Sequence, residues 1–168
     1  HPHCRRQRQM CIRDRQYIIG HPKRNRFIRN LAVDLRGNTL VLFSRVATHG
    51  QILFDSINSF VKDGRKVFYV HGGVEAQERE EVRTITESES NAIIVASYGT
   101  FSTGINIKNL HNVIFASPSK SRIRNLQSIG RVLRKGDKKS KAVLYDIADD
   151  ISYNCLLYTS PSPRDNRT

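Results

Sequence analysis

Cysteines and long apolar runs are scarce in this sequence of 168 residues. The three cysteines, Cys4, Cys11 and Cys155, lie near the two ends, so the central part has no disulfide framework, no thiolate metal site and no cysteine nucleophile. No apolar run approaches the roughly 20 residues that a membrane-spanning helix needs, and no signal-peptide pattern opens the chain. These features argue against a disulfide-rich scaffold and against a membrane-spanning protein.

Several motifs of enzyme chemistry are also missing. The histidines are scattered, so they do not form an obvious metal site, and no Ser-His-Asp order indicates acyl transfer. Neither GxxxxGKS nor GxxxxGKT occurs. This chain therefore does not itself hold the phosphate cradle of a P-loop.

Acidic residues are few. The sequence has 15 Asp and Glu against 28 Lys and Arg, which gives a formal net charge of +13 and a pI of about 10.2. Such an excess of positive charge predicts a polyanionic partner.

Both ends of the chain resemble translated sequencing adapters. Back-translation of MCIRD (10–14) and CLLYTS (155–160) gives reverse-complementary sequences with a one-base offset, which two unrelated ends of a gene have no reason to share. We interpret 1–15 and 155–168 as adapter-derived, disordered segments of a sequenced fragment and exclude them from the fold prediction. Genuine basic and Pro/Ser-rich tails are the alternative. The remaining domain, 16–154, keeps a formal charge of +8.

Strand-like and helix-like patterns alternate along the central domain. Helical spacing of apolar residues predicts helices at 22–37, 46–64, 74–88 and 121–135. Continuous apolar runs predict buried strands at 38–44, 91–97 and 111–117, and two further strands are predicted at 66–70 and 141–149. Short connections between alternating strands and helices are typical of a mostly parallel sheet with helices on both faces, so we expect an α/β fold.

Ligands of such folds bind at the loops that leave the carboxyl ends of the strands. These loops begin at Ser44, His71, Ser97 and Ser117. The loop SYGTFSTGINI (97–107) is rich in glycine and hydroxyl side chains, which together with backbone N–H groups can bind phosphate oxygens. Taken alone, such a loop is most often a plain connection.

The segment QSIGRVLRKG (127–136) places Arg131 and Arg134 three residues apart, on one edge of the last predicted helix. Like charges at this spacing repel each other, so an anion bound between them is one explanation. A solvated basic helix face is the other.

Three segments together resemble a known family. TLVLFSR (39–45), VASYGTFSTGINI (95–107) and QSIGRVLRKG (127–136) follow the order and approximate spacing of motifs IV, V and VI of superfamily 2 helicases. As a whole, 16–154 resembles the second RecA-like domain of these motors, and within the superfamily it is most similar to the phage UvsW-like recombination DNA helicases. The resemblance implies a RecA-like three-layer sandwich.

The resemblance also implies a role in ATP hydrolysis for the third segment. In these motors ATP lies between two RecA-like domains, and the second domain presents cations to the phosphates. Arg134 is then the arginine finger, Arg131 its partner at the γ-phosphate and Gln127 the polar group that positions the site. Gly130 lets the helix approach the ATP closely, and Lys135 is a surface charge.

Two further sets of residues follow from the same resemblance. Gly104 and Asn106 belong to the ATP site, although the family usually has Asp at the position of Asn106. The nucleic-acid site comprises Ser44, Arg45, His71, Gly72, Ser97 and Thr100. Their contacts to the phosphate backbone are expected to be independent of base sequence and dependent on salt.

The implied function is the second motor domain of an ATP-dependent DNA helicase or translocase that acts on branched or duplex DNA in recombination and repair. Its partners are DNA and the N-terminal RecA-like domain of the same protein, which holds Mg²⁺ with ATP. The location is intracellular, in the bacterial host cytoplasm for a phage protein, with no membrane contact. Without the P-loop and the Mg²⁺-binding carboxylates, this chain alone is expected to be inactive.

Two alternatives stay open at this point. One is an RNA helicase of the same superfamily. The other is a non-catalytic α/β module whose arginines face the phosphates of DNA or RNA.

Overall fold

The computed structural model describes residues 16–62, 64–100, 107, 109–117 and 142–147. Five strands lie in these ranges: β1 (Thr39–Phe43), β2 (Val67–Val70), β3 (Ile93–Ser97), β4 (Asn112–Phe115) and β5 (Val143–Asp146). They form one sheet in the order β2-β3-β1-β4-β5, and every neighbouring pair is parallel. The predicted parallel sheet is confirmed.

Helices cover both faces of the sheet, as predicted. The longer α-helices are α1 (Pro22–Asp34), α2 (Gln51–Phe60) and α3 (Ala76–Ser88). Residues 16–20 form a short helical segment. On one face, Ile28 of α1 and Leu53 of α2 pack in a cluster with Phe43. On the other face, Val82 of α3 packs in a cluster with Leu42.

Strand β1 lies in the middle of the sheet and is buried along its whole length. Successive side chains of a strand point to opposite faces, so Leu40 and Leu42 join the cluster under α3 while Val41 and Phe43 join the cluster under α1 and α2. Full burial of one such side chain contributes about 1.5–3 kcal/mol. The continuous apolar run of β1 therefore forms the centre of the core.

The connection from β1 to α2 contains a π-helical turn, Val46–Gly50, where we predicted one helix over 46–64. The Gly50 N–H donates to the Arg45 carbonyl at 2.9 Å. A Cβ at Gly50 would lie 2.4 Å from the Phe43 ring, so only glycine lets the turn pack this closely. The helix that follows ends at Phe60, because Val61 is extended.

Other boundaries also differ from the prediction. Helix α1 ends at Asp34 rather than at 37, because Leu35 is extended and Gly37 takes φ +90° as the chain turns into β1. Helix α3 begins at Ala76 rather than at 74, and β1 to β4 are up to two residues shorter at either end. The predicted helix 121–135 and both end segments lie outside the described residues.

Arg65 ties the end of α1 to the amino edge of the sheet. Its guanidinium donates to the carbonyls of Ala32, Val33 and Gly37 at 3.3, 3.0 and 3.0 Å. The last carbonyls of a helix have no partner within the helix, so a cation at this position satisfies them and complements the helix dipole. Burial lowers the pKa of Arg65.

Candidate nucleic-acid interface at the strand ends

The loops that follow the first four strands lie side by side at the carboxyl edge of the sheet. The register pairs Phe43 with Ser97 and Leu42 with Phe115, so neighbouring strands end at the same level. Across the sheet, the loops begin in the order His71, Ser97, Ser44 and Ser117. The connections that leave β1 and β4 lead to strands on opposite sides of β1, the arrangement at which open α/β sheets form a binding crevice.

A chain of hydrogen bonds joins the loops after β1 and β4 to helix α1. The Ser44 N–H donates to Ser117 Oγ at 3.1 Å, and Ser117 Oγ lies 3.0 Å from His49 Nδ1. His49 Nε2 lies 3.3 Å from Asn25 Oδ1, and Asn25 Nδ2 donates to the Ile19 carbonyl at 3.0 Å. Since Asn25 Oδ1 can only accept, Nε2 carries a proton, and in the neutral ring Nδ1 then accepts from the Ser117 hydroxyl. This order requires a neutral His49.

The surroundings of His49 keep its imidazole neutral. The side chain is fully buried, and burial, with a smaller contribution from the nearby Arg24 cation, lowers its pKa from 6.5 to about 4. In the unfolded chain the same group titrates near its ordinary value. Folding therefore excludes a proton from this site.

We expect acid to destabilise the protein through His49. Because the folded pKa is lower than the unfolded one, the stabilisation is complete above pH 6.5 and is lost as the pH falls toward about 4. The loss amounts to about 3 kcal/mol in the free energy of unfolding. Urea unfolding at several pH values measures it in the wild type and in His49→Gln. The control is His21→Gln, at a half-buried histidine with no side-chain hydrogen bond among the described residues.

The expected result is a flatter pH dependence in His49→Gln than in His21→Gln and in the wild type. Equal slopes in all three proteins between pH 6.5 and 4 would exclude His49 as the source.

Arg24 and Tyr98 hold the end of β4 from two sides. Arg24 Nη1 donates to the Ala116 carbonyl at 2.6 Å, and the Tyr98 hydroxyl donates to the Ser117 carbonyl at 3.1 Å. Burial, and less strongly the carboxylate of Asp146, raise the pKa of Tyr98, so the hydroxyl stays protonated and remains a donor. The chain thus leaves β4 from a fixed position.

At the start of the loop after β3, two side chains form a hydrogen bond with each other. The hydroxyls of Ser97 and Thr100 lie 2.7 Å apart, and the Thr100 N–H donates to Ser97 Oγ at 3.3 Å. Both side chains are buried, whereas Gly99 between them is exposed. The two predicted nucleic-acid contacts therefore lie at the predicted edge with their hydroxyls engaged with each other.

His71 and Gly72 lie beside this loop. His71 Nδ1 accepts from the Gly73 N–H at 3.1 Å, so Nε2 carries the proton of the ring. The ring lies 4.9 Å from that of Tyr69. Gly72 is exposed, and a Cβ there would lie 4.0 Å from Thr100 Oγ1, so the loops after β2 and β3 are neighbours.

Ser44 and Arg45 complete the described part of the interface. Ser44 is exposed and Arg45 is half-buried. Among the residues that the structure describes, the Arg45 guanidinium forms no hydrogen bond and no ion pair. It is a cation at the sheet edge with no anionic partner in the described part of the chain.

Residues 22–136 match the model of a protein family that is described as "Helicase conserved C-terminal domain". The chain belongs to this family. It is 45% identical over 135 residues to the ATP-dependent DNA helicase uvsW of Enterobacteria phage T4, covering 79% of this chain and 26% of the relative. A protein of Acanthamoeba polyphaga mimivirus named "Putative ATP-dependent RNA helicase" is 30% identical, covering 76% and 23%.

The fold agrees with solved helicase structures. The crystal structure of T4 UvsW matches with a TM-score of 0.69 and 42% identity, covering 82% of this chain and 28% of that one. The yeast DEAD-box splicing factor Prp28 matches with a TM-score of 0.59 at 16% identity, covering 73% and 26%, and thus supports the fold alone. The RecA-like α/β fold is confirmed. This helicase domain spans about a quarter of the length of the curated relatives that it matches.

Six predicted site residues lie outside the described part of the chain: Gly104, Asn106, Gln127, Gly130, Arg131 and Arg134. Their roles stay predictions. Within the described ranges, no three His, Cys, Asp or Glu side chains are grouped so that they could hold a metal ion. No helix in the same ranges is long and apolar enough to cross a membrane.

The buried polar residues of the interface were not predicted from the sequence. Arg24 and Asn25 precede the buried Ile28 by four and three residues, which places them on the apolar face of α1. Polar side chains on the apolar face of a helix could have indicated that they are buried. His49 gave no such signal, because its burial depends on the π-helical turn.

Proposed function

We propose that this domain is the second motor domain of an ATP-dependent DNA helicase or translocase that acts on branched or duplex DNA in recombination and repair. The observation that carries the proposal is the 45% identity, over 79% of the chain, to a protein named as an ATP-dependent DNA helicase. The grouping of four strand-end loops at one edge of the sheet supports it, because ligands of such folds bind there.

In the proposed reaction, Arg134 stabilises the negative charge that spreads over the transferred phosphoryl group, with Arg131 beside it and Gln127 positioning the site. The residues of this chain that would hold ATP are Gly104, Asn106 and Gly130. ATP supplies the phosphoryl group, and Mg²⁺ is assigned to the N-terminal RecA-like domain. Two guanidiniums three residues apart suit the bidentate recognition of phosphate oxygens.

The proposed DNA contacts are Ser44, Arg45, His71, Gly72, Ser97 and Thr100. Support comes from the exposure of Ser44 and Gly72 and from the Arg45 guanidinium, which lacks an internal anion among the described residues. Ser44, Arg45 and His71 offer side-chain donors rather than a base-specific pattern, so the contacts are to phosphates and independent of base sequence. A phage protein of this kind acts in the cytoplasm of its bacterial host.

An RNA substrate is the second candidate. One specific observation favours it, the 30% identity to a viral protein whose name specifies an RNA helicase. The higher identity to a DNA helicase makes DNA the first choice. Unwinding of DNA forks and of RNA duplexes by the full-length protein separates the two substrates.

The ATPase rate of the 168-residue chain tests whether ATP hydrolysis requires both motor domains. We expect no ATP hydrolysis by the chain alone, with or without DNA, and DNA-stimulated hydrolysis once it is joined to the N-terminal motor domain. The reason is that the P-loop and the Mg²⁺ ligands lie outside this chain. Hydrolysis by the isolated chain that is lost in Arg134→Ala would refute the proposal. So would a full-length protein that neither hydrolyses ATP nor unwinds DNA or RNA.

A further inference from the structure

Helix α1 carries positive charge on the side that faces away from the sheet. Residues one helical turn apart share a face, and Arg24, Asn25 and Ile28 are all buried against the domain. Lys23 and Arg26 point the opposite way, because each residue advances about 100° around the axis. Both are exposed.

An aromatic ring lies next to these two cations. Phe27 is 57% exposed, four residues after Lys23 and one after Arg26. We call Lys23, Arg26 and Phe27 the α1 stripe. Among the residues that the structure describes, neither cation of the stripe forms an ion pair. Cations this close on one helix face repel each other unless an anion lies near them.

The α1 stripe lies at the same edge of the sheet as the strand-end loops. Arg24, between its members, reaches the Ala116 carbonyl at the end of β4. Asn25 contacts His49 in the turn after β1. The first turns of α1 therefore border the loops that we assign to DNA.

The two faces of the domain differ in charge. Helix α1 has four cations and one anion (Lys23, Arg24, Arg26, Arg29 and Asp34), whereas α3 has four anions and two cations (Glu78, Glu80, Glu81, Glu87, Arg79 and Arg83). The described ion pairs all involve glutamates in α3 or directly after it. A polyanion at the carboxyl edge is therefore attracted toward the α1 side and repelled from the α3 side.

We propose that the α1 stripe extends the nucleic-acid interface: Lys23 and Arg26 bind phosphates of the strand that leaves the strand-end loops, and Phe27 packs on its sugars or bases. This inference rests on the proposed function of the loops. The Cβ atoms of Lys23 and Arg26 are about 5–6 Å apart, so the two side chains can reach neighbouring phosphates. Exposed aromatic side chains beside cations are typical of surfaces that bind single strands.

The test compares DNA binding by three forms of the whole 168-residue chain at several salt concentrations. Fluorescence anisotropy with labelled single-stranded DNA gives the slope of log K against log salt. The forms are the wild type, the double variant Lys23→Gln with Arg26→Gln, and the control Arg36→Gln with Lys62→Gln. The control removes the same charge from two exposed cations at the opposite, amino edge of the sheet. Any binding by the end segments is equal in all three.

We expect the slope of the α1 double variant to be smaller in magnitude by about 1.4, since each phosphate contact on a single strand contributes about 0.7. The control is expected to keep the wild-type slope. If the double variant is too unstable to measure, each single substitution is expected to lower the magnitude of the slope by about 0.7.

Each outcome decides one proposal. If the wild type binds DNA and both double variants lose the same amount of slope, or neither loses any, the α1 stripe is not part of the interface while the strand-end site stands. If the wild type does not bind DNA even at the lowest salt, the DNA contacts of the proposed function fail, and the stripe fails with them.

Discussion

Replacing Arg134 by alanine in the full-length protein is expected to lower the DNA-stimulated ATPase rate by about 10³–10⁵-fold. The physical reason is that the charge of the phosphoryl group spreads over its equatorial oxygens in the transition state, where a guanidinium at a fixed position stabilises it. Since this interaction is formed mainly in the transition state, kcat should fall far more than KM changes. Steady-state ATP hydrolysis with saturating DNA measures the effect.

The matched control is Lys135→Ala, which removes a neighbouring charge that we assign to the surface. This variant should retain the wild-type rate within a few-fold, as expected for an exposed side chain. Arg134→Lys should remain impaired, because an ammonium cannot reproduce the planar, bidentate geometry of a guanidinium. A similar loss in Lys135→Ala and Arg134→Ala would contradict the assignment, since it would point to net charge or folding rather than to one arginine.

The centre of the sheet could be predicted from the sequence because β1, β3 and β4 are buried along their whole length. Runs such as TLVLF (39–43) and IIVAS (93–97) are continuous and β-branched, with every residue buried, so the composition alone distinguishes them from loops. The alternation with helical spacing then predicted the parallel order. The ends of the strands were predicted less accurately. A strand ends where its hydrogen bonds to the neighbouring strand end, and the residues just inside and just outside that point have a similar composition.

The π-helical turn and the buried polar residues could not be predicted in the same way. Apolar spacing identifies one helix over 46–64, and it does not distinguish a turn with an i→i+5 bond from an α-helical one. The close approach of Gly50 to Phe43 is a tertiary contact, and it brings His49 into the interior. Helical periodicity assigns polar residues to the surface by default, so Arg24 was missed for a related reason.

For the candidate site, the position could be predicted from the sequence, but the hydrogen bonds of its side chains could not. Its position at the strand ends follows from the parallel order of the strands, and that order was readable from the sequence. The mutual hydrogen bond of Ser97 and Thr100 depends on the local turn of the backbone, which their hydroxyl composition alone does not determine. Composition therefore indicates where groups gather, and geometry decides which partner each group takes.

Asn38 is the residue whose loss we expect to destabilise the fold most. The side chain is fully buried at the start of β1. Its Nδ2 lies 2.9, 2.8 and 2.8 Å from the carbonyls of Thr86, Glu89 and Asn109, and its Oδ1 accepts from the Ala92 N–H at 2.8 Å. One amide thus links the end of α3, the start of β3 and the segment before β4 to the central strand.

We expect Asn38→Ala to lower the free energy of unfolding by about 3–5 kcal/mol. Each buried backbone group left without a partner costs about 1–3 kcal/mol, and both the Ala92 N–H and the carbonyls lose the amide. Asn38→Asp should be worse at neutral pH, because a carboxylate oxygen would face the carbonyl oxygens of Thr86, Glu89 and Asn109. Its deficit should shrink as the pH falls, since a protonated carboxyl can donate.

Urea unfolding of the 168-residue chain measures these differences, with Asn58→Ala as the matched control. Asn58 is exposed on α2, and its replacement should change stability by no more than about 0.5 kcal/mol. If Asn38→Asp equalled the wild type at pH 7, the amide could not be the donor to three carbonyls. The bonds would then have to come from elsewhere, and the link that joins the end of α3, the start of β3 and the segment before β4 to the central strand would lose its physical basis.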